Sequence, residues 1–268
     1  MSRITAALLG FALLGGSALA EERTGTLSVV RHIPLDQIQQ RAVGPLAVDP
    51  LAIYSNVTTN LGTTITQGAA AGGITRLVMD DLTFTTNPGV SNVTTVRFSV
   101  FNGNATTQSV RARIRFWNAD SATMIGTVPG PGTYYAPGGA GTEVGFSFAA
   151  FSFAPGITIL AGNLGAGFAV PAGATTTLWA GLTFDNVGTT TAATNTELSL
   201  FGQVAFGPVD LGSSTAGGGF ETTAAGSFFT TANPAGAAAT FGGSPAFNLG
   251  WEFVVTTLPV QLQHFAAE

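Results

Sequence analysis

Period-two alternation of apolar residues constrains this chain more than any other feature. Val96, Phe98 and Val100 alternate with Arg97 and Ser99. Val110, Ala112, Ile114 and Phe116 alternate with Arg111, Arg113, Arg115 and Trp117, and Val144, Phe146 and Phe148 with Gly145 and Ser147. A period of two places every apolar residue on one face of a strand and leaves the other face for polar groups. Further strand runs are predicted over residues 74–84, 175–184, 197–206 and 249–257, each bounded by Gly, Pro, Asn or Ser. Helical periodicity is absent from this region, which excludes parallel βαβ units. The expected fold is all-β: a single antiparallel β-sandwich, jelly-roll-like or Ig-like.

Composition supports a packed interior without covalent staples. The 268 residues are 45% hydrophobic, with 20 Phe and no cysteine, so stability must come from burial and ladder hydrogen bonds. Charged residues are only 9% of the chain, every basic residue is arginine, and the net charge is −5. That balance gives no general attraction to nucleic acid or anionic lipid.

The expected organisation has four parts. Residues 1–20 read as a signal peptide: Arg3, an apolar stretch from Ile4 to Leu14, then Ala18-Leu19-Ala20 as the cleavage box. Residues 21–50 read as an N-terminal extension whose one short helix spans residues 34–42, with Pro34 in its first turn and Gly44-Pro45 as its stop. Residues 51–257 form the β domain, and residues 258–268 a tail. Residues 213–219 and 235–243, rich in Gly, Ala and Ser, read as long surface loops. Prolines and glycines interrupt the uncharged stretches 144–184 and 222–251, so no spanning helix is expected after the leader. An exported chain, secreted or held at the cell surface, follows from the leader.

Several segments resemble a group of exported bacterial β-sandwich proteins that often end in a short sorting tail. These are Ile53-Tyr54-Ser55-Asn56, Ile74 to Asp81, Pro171-Ala172-Gly173 with Leu178 to Asn186, and Asn248-Leu249-Gly250-Trp251-Glu252-Phe253. Leu258-Pro259-Val260-Gln261-Leu262 is similar to the lead-in of such a tail, although no apolar span or basic terminus follows it here. The resemblance implies location and fold and carries over no catalytic residue.

Little catalytic chemistry is available. The only histidines are His32 and His264, and the Gly-Phe-Ser, Gly-Ser-Ser and Gly-Gly-Ser steps at Ser147, Ser214 and Ser244 lack the closing glycine of a nucleophile elbow. Structural zinc needs Cys/His clusters, and a phosphate loop needs a lysine; neither is present. Calcium needs only oxygen ligands, for which Asp80-Asp81, Asn118 with Asp120, and Asp185-Asn186 are the candidates, though none has the spacing of a dedicated loop. No resident cofactor is therefore expected, with calcium the one ion left open. A glycosidase would need two of Glu143, Glu197, Glu221 and Glu252 across a cleft.

The sharpest local feature is an arginine face. A hairpin turning over residues 102–108 would set Arg97 opposite Arg113, with Arg111, Arg115 and Trp117 on the same side and Asp81 beside Arg97 as counter-charge. This row, Asp81, Arg97, Arg111, Arg113, Arg115 and Trp117, reads either as a salt-bridged face or as a ligand surface, with Trp117 stacking on a guanidinium or a sugar. The expected role is non-catalytic: a structural or adhesive component of the cell surface, matrix or a fibre, whose partners are other copies of itself or cell-surface components. A carbohydrate-binding module, with polysaccharide as partner, is the alternative and a glycoside hydrolase the third reading. Exposed aromatics on a concave face would favour sugar, and an unpaired edge strand would favour assembly.

Overall fold

The computed structural model describes residues 22–38, 46–70, 73–84, 91–125, 128–134, 145–170, 177–186, 194–214, 218–222, 237–240 and 248–256. The leader, the tail, His264, Glu143 and the later part of the expected helix lie outside them. The fold is all-β, as the alternation predicts, and is built from two ladders that share their first strand, β1 (Glu22–Pro34).

The first ladder centres on β8 (Gln108–Ile125). One edge of β8 pairs with β13 (Thr177–Asp185), which pairs in turn with β6 (Leu77–Thr83) and, at its end, with β5 (Ile74–Thr75). β4 (Ala69–Ala70) closes on β5. The other edge of β8 is shared by β9 (Val128–Tyr134), β10 (Gly145–Phe148) and β11 (Phe151–Phe153). β15 (Gly218–Thr222) extends the sheet beyond β6, and β16 (Ala237–Thr240) extends it beyond β15. The first two residues of β15 and all of β16 fall in segments expected to be loops. Their pairing is made by backbone groups alone, which Gly and Ala supply without an alternating pattern.

The second ladder centres on β7 (Ser91–Asn102). β12 (Gly156–Val170) covers one edge, and β18 (Trp251–Val255) with β14 (Phe201–Phe206) covers the other. Beyond them lie β2 (Ala52–Ser55), β3 (Asn60–Thr66) and β17 (Asn248–Leu249). The spacing from Val93 to Val96 breaks the period of two, yet both are buried. Opposite β18 the extra residue bulges out of β7 itself, where Thr95 and Val93 face the consecutive Val254 and Val255, and opposite β12 the register breaks between Asn163 and Phe168.

Three expectations are corrected here. Glu22–Pro34, assigned by sequence to the N-terminal extension, forms β1 and runs through both ladders. The pairing is not wholly antiparallel either: Glu22–Gly25 runs parallel to β10 before the strand turns antiparallel to β12 from Thr26. Gly25 makes that crossing possible, since a Cβ there would sit 2.5 Å from the Phe148 ring and 2.8 Å from the Asn163 carbonyl. Of the expected helix, α1 (Leu35–Ile38) falls within the described residues. A second short helix, α2 (Asn195–Leu198), opens the run predicted as a strand over 197–206. Thr194 and Glu197 close a capping box around its first turn: Glu197 N–H donates to Thr194 Oγ1, and Thr194 N–H donates to Glu197 Oε2.

Aromatic side chains from the two ladders meet in the core. Phe116 of β8 lies 4.9 Å from Phe168 of β12 and 5.6 Å from Phe253 of β18, centroid to centroid. Phe184 of β13 lies 5.4 Å from Phe201 of β14. Phe98, Ile114, Phe116, Phe146 and Leu182 are all buried, as their alternation predicts.

Candidate functional site

The expected hairpin between β7 and β8 does not form. The two strands belong to different ladders, and the 103–107 connection crosses between them. Asparagine side chains hold that arch in place of ladder bonds. Asn102 Nδ2 donates to Phe153 O at 2.8 Å, its Oδ1 accepts from the Asn104 N–H at 2.9 Å, and Asn104 Nδ2 reaches Glu197 O at 3.0 Å.

Arg97 is consequently far in register from the other arginines. Its cross-strand neighbours are Ala161 and Glu252. Arg97 Nη1 lies 2.5 Å from Glu252 Oε1, and Nη2 lies 2.9 Å from Asp49 Oδ2. Glu252 is wholly buried, and its Oε2 accepts from Ser55 Oγ at 2.8 Å and from the Asp49 N–H at 3.3 Å. Burial pushes its carboxyl above the ordinary carboxylate range; Ser55 and Arg97 oppose that rise without cancelling it.

Arg111, Arg113, Arg115 and Trp117 do share one side of β8, opposite Asp185, Thr183, Gly181 and Trp179 of β13. Asp185 supplies counter-charge to Arg111 and Arg113. Arg111 Nε and Nη2 contact both Asp185 oxygens at 3.0–3.3 Å, and Arg113 Nε lies 2.5 Å from Oδ2. Arg115 is buried. Trp117 is buried too, as are Trp179 and Trp251, so none of the three offers a stacking platform. Asp81 stands opposite Trp179 on β6 and is remote from Arg97 in register. Among the described candidates for a paired-carboxyl cleft, Glu252 is committed to Arg97 and Glu197 caps α2.

A second group of buried polar residues lies where the ladders are stitched together along one side. Leu211 bridges to Ser55 of β2 and Ser213 bridges to Thr83 of β6, so residues 210–214 form a strap from one ladder to the other. Gly212 carries it at φ +86°, where a Cβ would meet Thr83 O at 2.5 Å and the Tyr54 ring at 2.8 Å. Ser214 Oγ then comes to 3.5 Å from both Asp80 Oδ1 and Asp81 Oδ1. Asp80 Oδ2 accepts from the Leu249 N–H at 2.8 Å, while Asn56 Nδ2 donates to Leu249 O at 3.0 Å. Asp80 and Asn56 thus bracket one residue of β17.

Tyr54 completes the group from β2. Its side chain is buried, its hydroxyl feels both carboxylates and lies beside Ser214 and Asn56, and it makes no hydrogen bond of good geometry. Asn56 Oδ1 is likewise buried without a hydrogen-bond partner. Burial first, and then the Asp81 charge, hold the Asp80 carboxyl well above its ordinary range. Burial and the two aspartates push the Tyr54 phenol up as well. Asp80 and Asp81 were singled out by sequence as oxygen donors. Tyr54, Asn56 and Ser214 were not, because strand alternation says nothing about which residues of distant strands converge.

No protein-family model, curated protein or solved structure matches this chain.

Proposed function

We propose that this chain is an exported, non-catalytic structural or adhesive protein that assembles with copies of itself at the cell surface or in a matrix, using a single β-sandwich as its unit. The leader-like residues 1–20 support export, and the interleaved Phe side chains from the two ladders support the sandwich.

The observation that carries the reading is the outer edge of β1. Residues 26–34 pair with β12 along one edge and have no partner strand along the other among the described residues. Unpaired N–H and C=O groups in a row form a template for a further strand. At the bulge after Val29, Val29 and Val30 are 50% and 38% exposed, which makes them two of the three large exposed apolar residues described. A second copy is the favoured occupant because Arg31 is the only charged residue in this stretch, and two such edges desolvate little charge on meeting. Electron microscopy of the purified exported chain tests the reading: filaments or ordered arrays are expected, and uniform monomers at high concentration would overturn it.

A further inference from the structure

Open-ended growth of a sheet needs two edges, and the ladder that β1 closes on one side has a second edge on the other. β3 pairs with β14 and has no partner strand along its outer edge among the described residues. None of its seven residues is buried, and Gly62, Thr63 and Thr66 are exposed. The strand Asn60-Leu61-Gly62-Thr63-Thr64-Ile65-Thr66 carries neither the charge nor the proline that blunts natural edges.

Two relations fix how these edges would face a neighbour. The first is direction. β1 to β12, β12 to β7, β7 to β14 and β14 to β3 are each antiparallel, so β1 and β3 run the same way. The second is level. Ile33 stands opposite Ile157, Ile157 opposite Phe101, Phe101 opposite Gly202, and Gly202 opposite Thr66. One row across the ladder thus begins at Ile33 on one edge and ends at Thr66 on the other.

We propose that β1 of one copy adds to β3 of the next as a parallel pair, so that the ladder centred on β7 continues from chain to chain. The inference rests on the self-assembly reading above and names the surface of the second copy that receives β1. A copy displaced sideways along the ladder, with its orientation kept apart from the sheet twist, presents β3 to β1 at the same level and in the same direction. Two different surfaces meeting head to tail build an open chain, whereas two β1 edges meeting about a two-fold axis close as a dimer. The β1–β3 pairing also sets Arg31 against an uncharged strand, where a β1–β1 pair would bring two Arg31 side chains towards the middle of the interface.

Complementation of two blocked edges tests this, read by sedimentation velocity of the purified chain. Val30→Lys and Thr66→Lys each put a lysine at an exposed position of one edge strand. Each variant alone should be monomeric. An equimolar mixture should form dimers and nothing larger, because one intact β1 edge then meets one intact β3 edge. Association of Thr66→Lys alone, or a mixture that stays monomeric, would overturn the proposal while wild-type assembly leaves the underlying reading standing. A monomeric wild-type chain would overturn both. If either variant does not fold, hydrogen exchange of the wild-type chain decides: peptides over Asn60–Thr66 should gain protection together with Thr26–Pro34 on concentration, and a gain confined to β1 would rule out β3 as its partner.

Discussion

Arg97 and Glu252 are direct cross-strand partners between β7 and β18, and their side chains form an ion pair at 2.5 Å with the glutamate fully buried. Removing the arginine strands a buried carboxyl. Arg97→Ala should therefore cost about 3 kcal/mol in chemical unfolding, and a double-mutant cycle with Glu252→Ala should return a coupling of about 1–3 kcal/mol. Asp49→Ala removes the more exposed member of the trio and should cost less than about 1 kcal/mol.

The same glutamate gives a signed pH dependence. Its folded carboxyl holds a proton more tightly than the unfolded one, whose value lies near 4.5. The folded chain then binds more protons than the unfolded chain across the interval above 4.5, so Glu252 contributes most below that value and its contribution is lost as pH rises through the raised one. Melting curves of wild type and Glu252→Gln should show wild type gaining on the variant as pH falls from 7 to 5. A constant difference would contradict the assignment.

Asp185 anchors two arginines at once, Arg111 and Arg113, and is itself buried. Asp185→Asn should destabilise the domain by about 3 kcal/mol, because two guanidinium groups lose their counter-charge together. Arg111→Ala alone should cost about 1 kcal/mol, since Arg113 still balances the carboxylate. Urea unfolding of both variants checks the ordering, which reverses if the arginines rather than the aspartate organise the cluster.

How much was legible in the sequence follows from these residues. The face of β8 that carries Arg111, Arg113, Arg115 and Trp117 was readable, because alternation within one strand is a local property. The partner of Arg97 was not. A five-residue connection after Asn102 suits a hairpin as well as an arch between sheets, and Asn102 and Asn104 decide it through contacts to Phe153 and Glu197 far along the chain. Thr194 and Glu197 stand at capping-box spacing, a signal that could have located α2, but four residues of helix are faint beside the apolar run that follows. β15 and β16 carry no alternation to read. The Asp80 group needed β2, β6, β17 and the strap in place before its members met.

Gly212 lets the strap pass over Tyr54. Its positive φ and the 2.5 Å approach of Thr83 O leave no room for a methyl group. Gly212→Ala should lower stability by about 1–3 kcal/mol through backbone strain and displacement of the strap. Denaturant unfolding measures it, and an unchanged midpoint would show that the strap yields freely.

The central claim is that the outer edge of β1, unpaired among the described residues, receives a second copy, and amide hydrogen exchange as a function of protein concentration tests it most directly. Peptides covering Thr26–Pro34 should gain protection as the exported chain is concentrated, while peptides of β8 and β13 stay constant, and Val30→Lys should remove the gain. Exchange of the β1 amides that is independent of concentration in the wild-type chain would contradict the account.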